Sequence, residues 1–380
     1  MSKNIAIVGN AAFTMQKFRG QMTTFLVDHG FSVYCFAPNY DAESRRAIEA
    51  LGATPVDFAH ERSGTNPLTA LASVCDLAKQ FKRLNIDVVF CYFLKPIVIS
   101  NIAAKIARVP TVYSMIEGRG MLFSENTPFN LKREVIKRAV ITTLRAVLPN
   151  SDRAFVLNRE DRAFAEGLLG KKAHRVTQLN GIGLDTDYYS PHPYYEKPLR
   201  FIFCGRLLKS KGVVEFVEAS KKVRAKHPEV ECIVIGDVDE NADSATREEI
   251  EGWDRKGFVD WVGFQPDTRP FFHRHGVLVL PTFYPEGLPR SIQESLSMAC
   301  PVITTEAPGC GEQIDEGVTG FVVQSQDSQA LADKMVYLAE NTDRIAEMGE
   351  AGRRYAEKAF ESNAINRIIF RDLLSEALRD

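Results

Sequence analysis

What most restricts this chain is an alternation that runs through nearly all of it: short unbroken apolar runs, each followed by a stretch with helical spacing. Ile5-Ala6-Ile7-Val8-Gly9 opens the series, and further buried-strand runs are expected at 32–37, 55–58, 86–92, 111–115, 154–157 and near 175–178. Helical patterns fall between them at 21–30, 42–51, 67–84, 96–106 and from Asn130 onward, with Asn10 to Gly20 read as a loop. Apolar strands separated by helices predict parallel sheets covered on both faces.

Tyr189-Ser190-Pro191-His192-Pro193 breaks this rhythm, and a second series follows, with strands expected at 199–204, 231–235, 259–263, 277–280 and 301–304. A chain of 380 residues also exceeds the length over which one core usually keeps growing. Two domains are therefore expected, 1–190 and 191–361, each a doubly wound α/β structure that binds ligands beyond the carboxyl ends of its strands. A formal net charge of −2 argues against nonspecific nucleic-acid binding. The seven scattered cysteines make no C-x-x-C pair and read as core thiols of a reducing compartment. No run is long enough for a secretory signal or a membrane span, so a cytoplasmic location is expected.

Chemistry concentrates in the second series. After Val277-Leu278-Val279-Leu280-Pro281, Glu286 precedes a helix and Glu294 lies inside it, with Gly287, Leu288 and Pro289 between. If wholly helical, that spacing spans ~12 Å, about the reach of a diphosphate with a ring at each end. Amides at the helix start favour an anion between the two acids. Directly after the first strand of this series comes Gly205-Arg206-Leu207-Leu208-Lys209-Ser210-Lys211-Gly212. Its glycines let backbone approach a ligand, while Arg206 and Lys211 place two cations where a strand gives way to a helix. Alone, the acids could merely suit the helix dipole and the cations a solvated turn. Together, in this order, they point to a diphosphate seat.

These elements closely resemble the E-x7-E and G-R-x(4)-K-G elements of retaining glycosyltransferase family four, which has the GT-B fold. Pro308-Gly309-Cys310-Gly311-Glu312 and Gly317-Val318-Thr319-Gly320-Phe321 extend the resemblance over nearly the whole second domain. It implies two Rossmann-like domains facing a central cleft, with the last helix, in 362–380, packing back on the first. It also implies that Glu286 contacts the donor sugar, Glu294 the ribose hydroxyls, and the Gly287-Leu288-Pro289 backbone both sugar and phosphate. Arg206 and Lys211, with Gly205 beside them, would neutralise the diphosphate. Phe264 and Gln265 fall where the family's base-binding loop lies. No metal or other cofactor is expected, since preorganised cations can stabilise the leaving group. Asp185-Thr186-Asp187 and Asp237-Val238-Asp239 would suit a metal-dependent enzyme, but such an enzyme leaves two βα halves unexplained, so they are read as solvated loop acids.

In the first domain, Gly9 and the segment to Gly20 follow the first strand without G-x-G-x-x-G, which disfavours a dinucleotide dehydrogenase. Gly9 is an acceptor-side candidate, and Lys17, Arg19 and, after a later strand, Lys95 are candidates for binding an acceptor phosphate; a solvated basic loop is the plain alternative. Where many family members carry His, this chain has Glu117 in Glu117-Gly118-Arg119-Gly120. That departure is similar to bacterial enzymes that extend sugars on undecaprenyl diphosphate, and it makes Glu117 a catalytic candidate beside Arg206, Lys211 and Glu286, or else a helix cap. Helix 130–148 sets Leu131, Val135, Ile136, Ala139, Val140, Leu144 and Val147 against the cations Lys132, Arg133, Lys137, Arg138 and Arg145. It would lie in an anionic membrane interface or pack on its own sheet.

The resemblance thus implies a retaining, metal-independent hexosyltransferase. The donor would be a nucleotide sugar, with UDP-GalNAc, UDP-Gal or UDP-Glc favoured, and the acceptor a polyprenyl-diphosphate-linked saccharide in O-antigen, capsule or glycoprotein assembly. Such an enzyme would work peripherally on the inner face of the plasma membrane. The alternatives are a GT-B-like epimerase or hydrolase of the nucleotide sugar, and a non-catalytic nucleotide-sugar-binding subunit.

Overall fold

A computed structural model describes residues 3–59, 67–123, 130–191, 198–272 and 276–377. The chain forms two compact units: residues up to Gly183 together with those from Ser362 onward, and Leu184–Glu361.

The first unit runs β1 (Asn4–Val8), α1 (Ala12–Asp28), β2 (Ser32–Ala37), α2 (Ala42–Ala50), β3 (Thr54–Asp57), α3 (Pro67–Arg83), β4 (Val88–Tyr92), α4 (Leu94–Ala107), β5 (Thr111–Ile116), α5 (Leu131–Val147), β6 (Arg153–Val156), α6 (Arg159–Leu169) and β7 (Val176–Gln178). Its strands pair in parallel in the order β3-β2-β1-β4-β5-β6-β7. Every residue of β4 is buried, as an apolar strand covered on both faces by helices must be. The second unit runs β8 (Arg200–Cys204), α7 (Val213–Lys226), β9 (Glu231–Ile235), α8 (Arg247–Arg255), β10 (Asp260–Trp261), β11 (Gly276–Leu280), α9 (Arg290–Ser297), β12 (Val302–Thr305), β13 (Gly320–Val323), α10 (Ser328–Glu340) and α11 (Thr342–Ala359). Its parallel sheet has the order β10-β9-β8-β11-β12-β13.

In both sheets the order reverses beside the first strand, between β1 and β4 and between β8 and β11. Loops leaving neighbouring strands at such a switch point diverge to opposite faces and open a crevice at the carboxyl ends. Gly9 and Lys95 follow β1 and β4; Gly205–Lys211 and Glu286 follow β8 and β11.

α12 (Ser362–Ile369) and α13 (Arg371–Ala377) belong to the first unit, where Phe370 packs 5.9 Å from the Phe90 ring and Arg153 pairs with Asp372 at 2.8 Å. They replace the single helix expected to Leu378, a residue outside the described set. No disulfide joins the cysteines; Cys75 is exposed, Cys204 half-buried and the rest buried.

Several expectations need correction. Residues 12–20 are not a loop but the first half of α1, whose buried face includes Met15, Arg19, Met22 and Leu26 at helical spacing. A charged residue within that face hid the period. The units divide after Gly183, before the expected break at 190, because Leu184 and Tyr189 join the second core. Leu184 donates its N–H to the Phe360 carbonyl, and the Arg353 guanidinium fastens the carbonyls of Thr186 and Tyr189. His192 and Pro193 lie outside the described residues. β10 is only two residues long, and Gly320-Phe321 begins β13.

Candidate functional site

Two loops of the second unit meet at its switch point. The turn after β8 closes as a short 3-10 segment, Lys209–Lys211, and Gly212 then enters α7 with φ +83°. A Cβ there would run into the Pro281 carbonyl, so only glycine allows this approach. The Ser210 carbonyl accepts hydrogen bonds from Thr282 Oγ1 (3.2 Å) and Phe283 N (2.8 Å), which tie this turn to the loop after β11. As a result Lys211 Nζ contacts the Glu286 carboxylate directly, each side chain 14% exposed. Lys211 also sits 5.6 Å from the Tyr284 ring centroid. Gly309 backs the same loop: a Cβ on it would strike the Gly287 carbonyl. The adjacent Cys310 thiol is fully buried, and burial, followed by the Glu286 charge, drives its pKa far up.

Glu294 lies in the second turn of α9, buried, and pairs with Arg290 at 2.9 Å. The Tyr189 hydroxyl also faces this acid; burial first, then the Glu294 charge, raises its pKa. Leu288 is half-buried and the buried Pro289 precedes α9 directly, so the helix start lies close along the chain to Glu286. Arg206 is half-exposed and pairs with Asp239 at 3.3 Å, while Asp237 pairs with Arg247 at 3.1 Å. Those two acids are therefore bound into ion pairs and are not merely solvated. Asp185 accepts the N–H groups of Asp187 and Tyr188 in a turn. Among the described residues no group of three or more His, Cys, Asp or Glu is placed to hold a metal ion. Phe264 is 59% exposed beyond β10, and Gln265 folds back to donate to the Val262 carbonyl at 2.7 Å.

In the first unit the geometry differs from expectation. Arg19 is wholly buried and its guanidinium bonds the Glu117 carboxylate, which is itself 9% exposed. The same guanidinium stacks 4.0 Å from the Tyr92 ring and donates to the Phe18 carbonyl. Arg19 is therefore an internal partner of Glu117 and not a surface phosphate ligand. Among the described residues Glu117 is not the cap of a neighbouring α-helix: Asn130 caps α5 and Asn158 caps α6. Gly9 lies under the Tyr92 hydroxyl with no room for a Cβ, and its N–H donates to the Phe36 carbonyl. Lys17 is exposed in the second turn of α1, its Nζ 5.6 Å from the Phe13 ring; Lys95 is half-buried in the first turn of α4.

The Glu117–Gly120 loop is anchored at its other end by residues that sequence reading missed. Arg119 bonds Asp161 at 3.0 Å and also Glu160, and Asp161 accepts the Gly118 N–H at 3.0 Å. Asp161 lies in the first turn of α6, a helix capped by Asn158. Burial lifts its carboxyl to about 6, against the pull of Arg119. The signal available was the N-cap pattern Asn158-Arg159-Glu160-Asp161.

Comparison with known proteins gives a consistent picture. The family profile "Glycosyl transferases group 1" matches residues 187–355, and "Glycosyl transferase 4-like" matches 5–150. Over 351 residues, covering 89% of each chain, the protein is 24% identical to the N,N'-diacetylbacillosaminyl-diphospho-undecaprenol alpha-1,3-N-acetylgalactosaminyltransferase of Campylobacter jejuni. A glycosyltransferase from Rickettsia africae superposes with TM-score 0.77 at 19% identity, covering 100% of this chain and 99% of that one. Anabaena HepE, solved in complex with UDP and glucose, superposes with TM-score 0.76 at 18% identity, covering 98% and 100%.

Proposed function

The chain belongs to the family-four glycosyltransferases of the GT-B fold, hexosyltransferases of glycan biosynthesis, and from that premise we propose a retaining, metal-independent transfer from a UDP-sugar to a polyprenyl-diphosphate-linked saccharide. The observation that carries this reading is the convergence of Lys211 and Glu286 across the second switch point, beside the start of α9. A diphosphate seated there meets the cations Lys211 and Arg206 and the amides at the helix start, while Glu286 faces the sugar hydroxyls and Glu294 the ribose.

In the transfer step the bond from the anomeric carbon to the diphosphate oxygen breaks, and its electron pair leaves with the phosphate. The acceptor oxygen bonds the same carbon from the face the phosphate leaves, and its proton passes to the departing phosphate oxygen. Lys211 and Arg206 hold the growing negative charge, so the chain's own residues supply the stabilisation that a metal would otherwise provide.

The acceptor class is supported by the Campylobacter relative, whose name specifies a diphospho-undecaprenol substrate, and the UDP donor by HepE. Membrane contact fits α5. Leu131 is 70% and Val135 60% exposed, close in sequence to exposed Lys132 and Arg138, whereas Leu144 and Val147 further along are buried. The front half of the apolar face is thus left for an anionic inner leaflet. No described helix is long and apolar enough to cross a membrane.

The test is incubation with UDP-GalNAc, UDP-Gal, UDP-Glc and GDP-mannose together with membrane lipid extract, followed by mass measurement of the products and anomeric assignment by NMR. Lys211→Ala and Glu294→Ala are each expected to lower turnover by about 10²-fold or more, and a chelator to leave it unchanged. Unaltered turnover in both variants overturns the site assignment.

A further inference from the structure

Resting on that donor-site reading, we infer that Glu286 acts a second time after transfer: it takes Lys211 back from the nucleoside diphosphate and so promotes product release. The cations of the site are already engaged in the structure. Lys211 is held by Glu286, Arg290 by Glu294 and Arg206 by Asp239. Each of these three cations is thus paired with a carboxylate at rest. A diphosphate binds only by drawing Lys211 off a carboxylate that is largely shielded from water and cannot drift away. Hydrogen bonds from Thr282 Oγ1 and the Phe283 N–H to the Ser210 carbonyl fix one loop against the other, and Gly309 backs the carbonyl next to Glu286.

The exchange has a different balance for donor and for product. With an intact nucleotide sugar bound, the sugar hydroxyls replace the hydrogen bonds that Glu286 gives up. Once the sugar has gone, Glu286 faces the diphosphate without those hydroxyls, and like-charge repulsion adds to its competition for the Lys211 ammonium. One carboxylate therefore supports the substrate and opposes the product.

The test is calorimetric titration of the purified full chain with UDP and with GDP. It compares wild type with Glu286→Gln, Glu286→Asp, Lys211→Met and the Lys211→Met/Glu286→Gln double variant, each checked for folding by circular dichroism. Neutral glutamine cannot compete, so Glu286→Gln is expected to bind the nucleotide about ten-fold tighter than wild type, the scale of one charged hydrogen bond. The same variant should be inhibited by lower UDP concentrations while its turnover falls. Glu286→Asp keeps the charge and stays within about two-fold of wild type. In the Lys211→Met background the glutamine gain disappears. Unchanged or weaker UDP binding by Glu286→Gln overturns the inference while leaving the donor site standing, as does a gain that persists without Lys211. Failure of wild type to bind either nucleotide overturns the donor-site reading itself, and the inference with it.

Discussion

Arg19 and Glu117 spend their charges on each other inside the first unit, under the Tyr92 ring. Removing one partner of such a buried pair leaves the other uncompensated, so Arg19→Ala is expected to cost about 3–5 kcal/mol in denaturant unfolding. Replacing both by Met should recover most of that stability. If Glu117 serves only packing, turnover recovers too; a stable but slow double variant assigns the carboxylate to the reaction. Asp161 gives a pH signature of its own. Its folded pKa, about 6, lies above the ordinary aspartate value because burial disfavours the charged form. The unfolded chain therefore releases this proton first. The associated stability is complete below about pH 4 and is lost as pH rises through 6. Unfolding at pH 4.5 and pH 7 measures the slope, and Asp161→Asn should flatten it. The donor motifs were readable because their residues lie close along the chain and are of unusual type. The Arg19–Glu117 pair was not, since 98 positions separate its members and only tertiary folding shows that their charges cancel.

At the scale of elements, the site depends on two close backbone approaches. Gly212→Ala adds a side chain at positive φ and drives it into the Pro281 carbonyl, and the expected loss is on the order of 2 kcal/mol or more. Because the displaced turn carries Lys211, KM for donor should rise beyond what stability loss explains, measured in conditions where the variant is fully folded. α5 makes a separate prediction: Leu131→Asp with Val135→Asp should lower sedimentation with anionic vesicles while leaving the melting temperature nearly unchanged, because both side chains are already in water. Strands were legible from composition wherever both faces are covered, as in Val88–Tyr92. α1 was misread in its first half because its buried stripe contains Arg19, and hydrophobic spacing cannot count a charge as core.

Across the whole molecule, α12 and α13 bring the chain's last turns back to the first unit. Ile365, Ile369 and Phe370 are buried there, so truncation after Glu361 should uncover the Phe90–Tyr113 surface and cause aggregation, read by light scattering. The resemblance anticipated this return, but nothing in the local sequence encodes it. It has a topological result. The second unit is spliced into the first as an insert, and its two ends, Leu184 and Glu361, pair as a parallel bridge. A segment whose entry and exit already touch loses little loop entropy when cut out and re-joined, so Leu184–Glu361 is the natural cassette to transplant into another host scaffold.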